Sequence, residues 1–305
     1  MIGDVGSMDI AAAAQLACLL EASAPKPGNV SRAAAFGDTS YEHFLASAAA
    51  IGTPLGRAST RPLGGTVLAC IRETRRWVRT NTNLGMVLLF APLARAAGRL
   101  APTMAGVGRA ELRETLGDVL ANTTVADARD VYAAIRLASP GGLGVADEQD
   151  IADEPTVTLR EAMQLAAERD DIAREYVSDF ETTFETAAPT LDDALTAGLD
   201  WNDAVVETFL TVLAARPDTH IARRGGAALA SSVSAQARAA LAAGGVRTAG
   251  GRHAITELDA ALRGGDGNLA NPGTTADLTA AAIFVVLLGG GWHSRSGRGG
   301  SDIDG

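Results

Sequence analysis

The sequence is poor in lysine, aromatic residues and cysteine. Lys26 is the only lysine, so almost all of the positive charge is carried by arginine. Aromatic residues make up 4% of the chain and hydrophobic residues 47%, so the core must be built largely from Ala, Leu and Val. Alanine is the strongest helix former, whereas strands favour β-branched and aromatic side chains. The composition therefore predicts helices.

Further absences exclude whole classes of protein. A net charge of −10 disfavours binding to nucleic acid or to anionic lipid, both of which require excess positive charge. The two cysteines, Cys18 and Cys70, form no CxxC pair and are expected to be reduced thiols in the core. The longest apolar run, Leu278 to Leu288, is too short to span a bilayer, and Met1 to Ile10 lacks the basic region of a signal peptide. We expect a cytoplasmic protein.

Helical periodicity recurs along the chain, and no pair of alternating runs joined by a hairpin turn is present. We predict an all-α fold, a single multi-helix globular bundle over residues 1–290, followed by a disordered tail at 291–305. Breaks are expected at Gly52-Thr53-Pro54 and at a mobile loop, 140–155. The predicted helices are 8–23, 41–51, 63–79, 84–98, 108–120, 124–138, 158–187, 201–215, 221–243, 254–263 and 275–288.

Polar residues cluster at the breaks between these helices. The first cluster is Pro25-Lys26-Pro27-Gly28-Asn29-Val30-Ser31-Arg32. Its two prolines stiffen the turn around Lys26, and Gly28 allows a ligand to approach the backbone. We predict that Lys26 and Asn29 contact phosphate, the alternative for Lys26 being a solvated loop lysine.

The second cluster is Asp38-Thr39-Ser40-Tyr41-Glu42-His43-Phe44. Thr39 or Ser40 is a good cap for the following helix. Asp38 is a candidate catalytic residue that holds Mg²⁺ or positions a hydroxyl, with helix capping as the equal alternative. We expect His43 to be packed and hydrogen-bonded rather than catalytic.

The third cluster, Asn81-Thr82-Asn83-Leu84-Gly85, precedes an apolar helix. The free N–H groups at a helix start favour anions, and three consecutive polar residues exceed what one cap requires. We predict that Asn81 and Asn83 bind phosphate or ribose.

The fourth cluster is Pro217-Asp218-Thr219-His220-Ile221-Ala222-Arg223-Arg224-Gly225-Gly226. Two guanidinium groups can clamp phosphate oxygens, and glycines that cost helix stability suggest close contact with a ligand at Gly225. We predict that Arg223, Arg224 and Gly225 bind phosphate, Arg223 more directly than Arg224. Asp218 is either the helix cap or a catalytic residue and metal ligand.

The fifth cluster, Asn271-Pro272-Gly273-Thr274-Thr275-Ala276-Asp277-Leu278, opens the most apolar helix. Thr274 or Thr275 can cap it, with Asp277 in the first turn. Asp277 is equally a candidate to bind a metal or orient a hydroxyl. A sixth patch, Glu168-Arg169-Asp170-Asp171, is predicted to lie mid-helix on a solvated face, with magnesium binding as the alternative.

No Walker, Rossmann, zinc or nucleophile-elbow motif is present, so a nucleotide site must be assembled from helix starts. The blocks PKPGNVSR with DTSYEHF, NTNLG, DTHIARRGG and NPGTTADL, in this order from residue 25 to residue 278, resemble the triphosphoribosyl-dephospho-CoA synthase family. The resemblance implies an all-α enzyme that transfers the triphosphoribosyl group of ATP to the 2′-hydroxyl of 3′-dephospho-CoA and releases adenine.

The resemblance implies roles for the clusters. Lys26, Arg223 and Arg224 suit phosphate binding, and Asn81 and Asn83 suit hydrogen bonds to ribose or phosphate. Three aspartates, with Mg²⁺, suit metal binding or proton transfer: Asp38, Asp218 and Asp277. The partners would be ATP and dephospho-CoA, and the sequence is compatible with a homodimer.

The chain also departs from the family pattern. Thr82-Asn83-Leu84-Gly85 stands where lyase-associated bacterial members carry Thr-His-Lys-Gly, and Thr274-Thr275 stands where Gly-Ser is common. These features resemble the archaeal and methylotroph branch, whose members often occur without a citrate lyase. Three alternatives therefore stay open: another acceptor in coenzyme biosynthesis, a magnesium-dependent N-glycoside hydrolase, and a non-catalytic helical scaffold.

Overall fold

The computed structural model describes residues 9–32, 34–35, 39–100, 106–264, 269–290 and 292. Within these ranges the fold is all-α, as predicted, with no sheet, and an isolated bridge joins Ser31 and Ala34. A π-helix, Thr182–Ala187, precedes α9, and a 3-10 helix, Gly245–Arg247, precedes α13. The α-helices are α1 (Ile10–Ser23), α2 (Tyr41–Leu55), α3 (Leu63–Arg75), α4 (Leu84–Ala97), α5 (Arg109–Ala121), α6 (Val125–Ala138), α7 (Leu159–Ala166), α8 (Asp171–Val177), α9 (Ala188–Thr196), α10 (Trp201–Ala215), α11 (Thr219–Gly225), α12 (Ala227–Ala242), α13 (Ala249–Arg263) and α14 (Gly273–Leu288).

Most predicted helices match these bounds closely, but two predicted segments are divided. The segment 158–187 contains α7, α8 and the π-helix, so Glu168 to Asp170 lie in a turn rather than mid-helix. There Asp170 caps α8 by accepting from two backbone N–H groups. The segment 221–243 is divided at Gly226, whose φ of 91° and ψ of 158° belong to a region that glycine alone adopts readily.

Three further expectations concern the ends of elements. Gly52-Thr53-Pro54 does not end α2, which runs to Leu55, because a proline in the last turn removes only one backbone bond. The helix α9, with a proline in its first turn, was not predicted. Asp38 and all of the predicted tail except residue 292 lie outside the described residues.

The core is centred on α14 and α4. Every residue of α14 except Gly273 and Asp277 is buried, as expected for the longest apolar run. Helix α14 packs against α1, α4, α9 and α10, and Phe284 meets Phe90 of α4 with their ring centroids 4.7 Å apart. The buried side chains of all fourteen helices form one contiguous cluster that includes the free thiols Cys18 and Cys70. In the described part of the chain, no helix has both the length and the apolar character to cross a membrane.

Several helices begin at an N-cap residue whose side chain makes no capping hydrogen bond, and α3, α4 and α14 are among them. These three helices begin after Pro62, Asn83 and Pro272. Buried N–H groups must nevertheless be satisfied. Carboxylates from distant parts of the chain accept from them instead: Asp127 from the N–H of Gly64, Asp277 from that of Met86, and Asp218 from that of Thr275.

A proline inside α4 leaves a further backbone group without its helical partner. Pro92 has no N–H, so the carbonyl of Leu88 loses the bond that a helix normally supplies. The hydroxyl of Tyr176, fully buried in α8, donates to this carbonyl at 2.7 Å. This bond fixes α8, and with it the preceding Asp170, against α4.

The contact between α3 and α6 yields a prediction with an internal control. A Cβ added to Gly64 would lie 2.3 Å from the backbone oxygen of Asp127, whereas one added to Gly65 would lie 3.5 Å from its nearest neighbour, a carboxylate oxygen of Asp130. We expect Gly64→Ala to destabilise the protein by about 1–3 kcal/mol, because backbone cannot move aside as a side chain can. Gly65→Ala should be neutral or stabilising by up to about 1 kcal/mol through helix propensity. Urea unfolding of both variants tests this, and equal stabilities would contradict the close contact.

Candidate active site

A cavity of about 580 Å³ lies where the first turns of α4, α8, α11 and α14 come together. Helix N-termini carry partial positive charge and free N–H groups, so the two long helices, α4 and α14, favour an anion here. Other parts of the lining are apolar and come from α6, the following loop and α7, including Val131, Ile135, Leu143, Leu159 and Met163. The site thus combines a polar region of helix starts with an apolar region.

The predicted asparagines are brought together in this lining, although the chain separates them. Asn29 donates through Nδ2 to Oδ1 of Asn271 at 3.1 Å. Asn83 donates through Nδ2 to Oγ1 of Thr74 at 3.0 Å. Asn81 accepts from the N–H of Leu84 at 3.1 Å, so part of its predicted role is capping. These bonds hold three amides at the polar region of the cavity.

Asp277 also lines the cavity, at the start of α14. Its carboxylate accepts from the N–H of Met86 and lies directly over Gly85, where an added Cβ would come within 1.9 Å of Oδ2. Burial, reinforced by the negative charges of Glu21, Asp218 and Asp170, raises the pKa of Asp277 well above its ordinary value. Asp277 therefore lies at the cavity, where a catalytic residue would be needed, and its catalytic role stays a prediction.

Asp218 occupies a different position from the one predicted for a metal ligand. It is buried, and it is not among the described residues that line the cavity. Its Oδ1 accepts from the N–H of Ile221 at 2.9 Å, and its Oδ2 accepts from the N–H and the hydroxyl of Thr275, both at 2.7 Å. Both oxygens are therefore engaged in capping α11 and α14, the structural alternative that the sequence left open.

Lys26 is fully buried rather than presented to a ligand at a solvated turn. Its Nζ lies 2.9 Å from Oε1 of Glu21 and donates to the backbone carbonyls of Glu21 and Ala24. Glu21 is 1% exposed and lines the cavity, whereas Lys26 is not among the lining residues. The predicted phosphate contact of Lys26 is not supported by this placement, because its donors face the chain itself.

The two arginines of α11 are separated by the structure. Arg223 lines the cavity, its Nη1 lies 3.1 Å from Oδ2 of Asp170, and its buried Nε has no hydrogen-bond partner among the described residues. Arg224 and Gly225 do not belong to the described lining. Arg223 therefore lies at the cavity beside a carboxylate, whereas the placement of Arg224 and Gly225 does not support the phosphate contacts predicted for them.

Sequence reasoning missed several lining residues. His220 donates from Nδ1 to the carbonyl of Asn271 at 2.9 Å, and burial is the main cause that lowers its pKa, so the ring is neutral with Nε2 as an acceptor. Asp170 was assigned to a solvated face. Glu21 had a signal that was overlooked, because it is the only charged residue of the Ala- and Leu-rich helix α1. His43, as expected, is structural and accepts from the N–H of Ser40.

No group of three or more metal-binding side chains is present among the described residues. Asp218 is committed to its caps, and the carboxylates that line the cavity are spread over several elements: Glu21, Glu148, Asp150, Glu168, Asp170 and Asp277. The lining carboxylates therefore do not form a dedicated protein cage for a cation. Such a lining suits a cation held mainly by substrate phosphates and water, as Mg²⁺ often is.

Known proteins resemble the chain in sequence and in structure. A crystal structure described as a triphosphoribosyl-dephospho-CoA synthase from Archaeoglobus fulgidus has 32% sequence identity and a TM-score of 0.64, and covers 82% of this chain and 99% of its own. Proteins described as 2-(5''-triphosphoribosyl)-3'-dephosphocoenzyme-A synthases from Pseudomonas paraeruginosa and Pseudomonas aeruginosa are 34% identical over 107 residues. That match spans 34% of this chain and about a third, 36%, of the length of these curated relatives.

The family itself follows from a match over nearly the whole chain. The model of the family CitG, described as ATP:dephospho-CoA triphosphoribosyl transferase, matches residues 7–296. This range contains all five polar clusters and every helix that contributes to the cavity. The chain belongs to the CitG family.

Proposed function

We propose that the protein transfers the triphosphoribosyl group of ATP to the 2′-hydroxyl of 3′-dephospho-CoA and releases adenine. The observation that carries this proposal is the joining of distant polar clusters at one cavity, where the starts of α4 and α14 meet Arg223. Membership of the CitG family supports the same reaction. The volume of the cavity, about 580 Å³, lies within the range of small-molecule sites.

The lining suits the two demands of this reaction. Phosphate oxygens require donors, and the lining supplies the amides of Asn29, Asn81 and Asn83 and the guanidinium of Arg223. The reacting ribose develops positive charge at C1′ as adenine leaves, and nearby carboxylates stabilise such charge. We assign adenine or the pantetheine arm of the acceptor to the apolar region between α6 and α7, where contacts are non-directional.

Mg²⁺ is part of this proposal. Six carboxylates and two arginines, Arg169 and Arg223, are among the described residues lining the cavity, so a bare triphosphate would be repelled. We propose that the triphosphate enters as its magnesium complex, with phosphate oxygens and water as the main ligands. When bound, the cation supplies charge neutralisation for the triphosphate.

Adenine release from ATP tests this function, measured with and without dephospho-CoA and with Mg²⁺ or a chelator. We expect release to require both the acceptor and the divalent cation, with a product that contains both substrates by mass spectrometry. Release without any acceptor would instead indicate an N-glycoside hydrolase. Equal rates in chelator would remove Mg²⁺ from the mechanism, and no turnover with dephospho-CoA would refute this acceptor.

The departures in Thr82-Asn83-Leu84-Gly85 favour a second acceptor as the alternative function. Leu84 replaces a cation of the lyase-associated members, and both Leu84 and Thr82 line the cavity. A panel of hydroxyl-bearing coenzyme precursors in the same adenine-release assay separates the two acceptors. A cytoplasmic location and a homodimer stay predictions from the sequence.

A further inference from the structure

Glu21 is a buried carboxylate with one oxygen left open. It is 1% exposed, lines the cavity from the end of α1, and receives the Nζ of Lys26 at 2.9 Å on Oε1. Neither oxygen has a well-aligned hydrogen-bond partner among the described residues, and Oε2 lacks the ion pair as well. An unpartnered buried acceptor is costly, so an oxygen in this position at a cavity is well placed for a donor of a bound molecule.

Asp277 faces the same cavity from the start of α14, but it has no cation beside it comparable to Lys26. Its one backbone donor is the N–H of Met86, and Gly85 leaves the space that its Oδ2 occupies. Glu21 and Asp277 line the same cavity, and the negative charge of Glu21 adds to the rise in the pKa of Asp277. The pair is therefore asymmetric: one carboxyl has a fixed cation and the other has none.

This asymmetry separates the protonation states of the two groups. Burial raises the pKa of both, but Lys26 opposes the rise at Glu21 through its charge and a hydrogen bond. At Asp277 the charges of Glu21, Asp218 and Asp170 add to the effect of burial. Two carboxyl groups whose environments push their pKa values apart are the usual arrangement of an acid and a base in one site.

We propose that Asp277 is the general acid that protonates the departing adenine and that Glu21 is the general base that takes the proton of the attacking hydroxyl. Lys26 is then a positioning residue that pairs with Oε1 of Glu21 and opposes protonation of this carboxylate. This inference rests on the proposed function and adds the groups that move its two protons. The proposal also gives Lys26, the single lysine of the chain, a role that requires no contact with phosphate.

The proton balance of the step is complete. The C1′–N9 bond breaks with its electron pair going to adenine, and the carboxyl proton of Asp277 passes to a ring nitrogen of the base. The hydroxyl oxygen of the acceptor bonds to C1′, and its proton passes to Oε2 of Glu21. Transfer of one proton from Glu21 back to Asp277, directly or through water, restores the starting state.

Other titratable groups surround this pair. Cys18, on the same helix as Glu21, stays a neutral thiol because burial raises its pKa well above the ordinary value. Asp218 and Asp170 face Asp277 from the starts of α11 and α8, each committed to a cap. The remaining groups at the cavity are Tyr132, Glu148, Asp150, Glu168, Arg169, His220 and Arg223. None of these groups is a cation that pairs with Asp277 as Lys26 pairs with Glu21.

A substrate with an altered leaving group tests the acid. ATP methylated on N7 of adenine releases a neutral base without protonation, so it does not require an acid. We expect Asp277→Asn to lower kcat with ATP by about 10²–10⁴-fold, the usual contribution of general acid–base catalysis, and the deficit to shrink below about tenfold with the methylated substrate. Equal deficits with both substrates would overturn the assignment of Asp277.

The base is tested in a variant that removes the buried charge pair as a whole. Glu21→Gln alone leaves Lys26 unpaired and can unfold the protein, whereas E21Q/K26M removes both charges, a change that buried ion pairs often tolerate. We expect the double variant to fold, to bind ATP within about tenfold of wild type, and to lose about 10²–10⁴-fold in kcat with either substrate. Wild-type turnover in E21Q/K26M would show that the pair is structural.

Glu175→Gln is the matched control, because Glu175 is a fully buried carboxylate that caps Thr182 and Thr183 away from the cavity. We expect Glu175→Gln to lower stability. Any change in its kcat should be the same with ATP and with the methylated substrate. Wild-type enzyme that releases no adenine from ATP with the acceptor would refute the proposed function itself. Active wild type combined with equal deficits of Asp277→Asn on both substrates, or with wild-type turnover in E21Q/K26M, would refute only the acid–base pair.

Discussion

Arg223→Lys is expected to lower kcat/KM for ATP by about 10- to 100-fold, with most of the change in KM. The guanidinium of Arg223 lines the cavity and is oriented by Asp170, 3.1 Å away. Lysine keeps the charge but has no planar fork, so it cannot reproduce the fixed set of N–H donors that a guanidinium presents to Asp170 and to phosphate. Loss of one charge-assisted contact costs about 1.5–3 kcal/mol, which gives this range of affinities.

Arg224→Lys is the matched control for this experiment. Arg224 is the next residue along α11 and does not belong to the described lining of the cavity. In steady-state assays of adenine release, we therefore expect wild-type kcat and KM for Arg224→Lys but not for Arg223→Lys. If both variants keep the wild-type kcat and KM, the triphosphate binds elsewhere. If only Arg224→Lys loses activity, Arg224 rather than Arg223 is the phosphate-binding arginine.

Asp218→Ala is expected to have the largest effect on stability. Its carboxylate accepts three hydrogen bonds in the core and caps both α11 and α14. Each lost cap costs about 0.5–2 kcal/mol, and bonds to a charged acceptor lie at the upper end of the hydrogen-bond range. We therefore expect a loss on the order of 3–5 kcal/mol in the free energy of unfolding, measured by urea denaturation.

Asp200→Ala provides the comparison for Asp218. Asp200 is the exposed N-cap of α10 and accepts one bond, from the N–H of Asp203 at 2.9 Å. Its loss should cost about 0.5–2 kcal/mol. Equal effects of the two substitutions would contradict the double cap. A stable Asp218→Ala that has lost the magnesium dependence of ATP binding would restore the metal-ligand interpretation of Asp218.

Most of the fold was predictable because its signals are local. Alanine-rich periodicity located the helices, and the predicted segment 201–215 coincides with α10. The asparagine clusters were found for the same reason: polar residues in succession at a helix start exceed what one cap needs. The divisions within 158–187 and 221–243 were harder to see. The first is a turn whose polar residues also suit a helix, and the second depends on the backbone conformation of Gly226.

The site depends on pairings that no local pattern contains. The sequence suggested Thr274 or Thr275 as the cap of α14, yet the acceptor is Asp218, far away in the chain. Lys26 resembled an exposed cation because prolines and glycine surround it, but its partner Glu21 lies in a helix that appears apolar. A charge inside an apolar helix is a usable signal, and the partner of this one lies nearby in the sequence, where the chain turns back after the end of α1.

The bond between Tyr176 and the Leu88 carbonyl has a consequence for how this sequence can change over time. The hydroxyl is needed only because Pro92 withholds an N–H from the same carbonyl. Tyr176→Phe is therefore harmful while Pro92 is present, and becomes far more acceptable once Pro92 has been replaced by a residue with an N–H. Mutational paths through these positions are ordered, and a lineage that keeps the proline is held to the tyrosine. Two residues that do not bond to each other are thus linked by epistasis through one backbone oxygen.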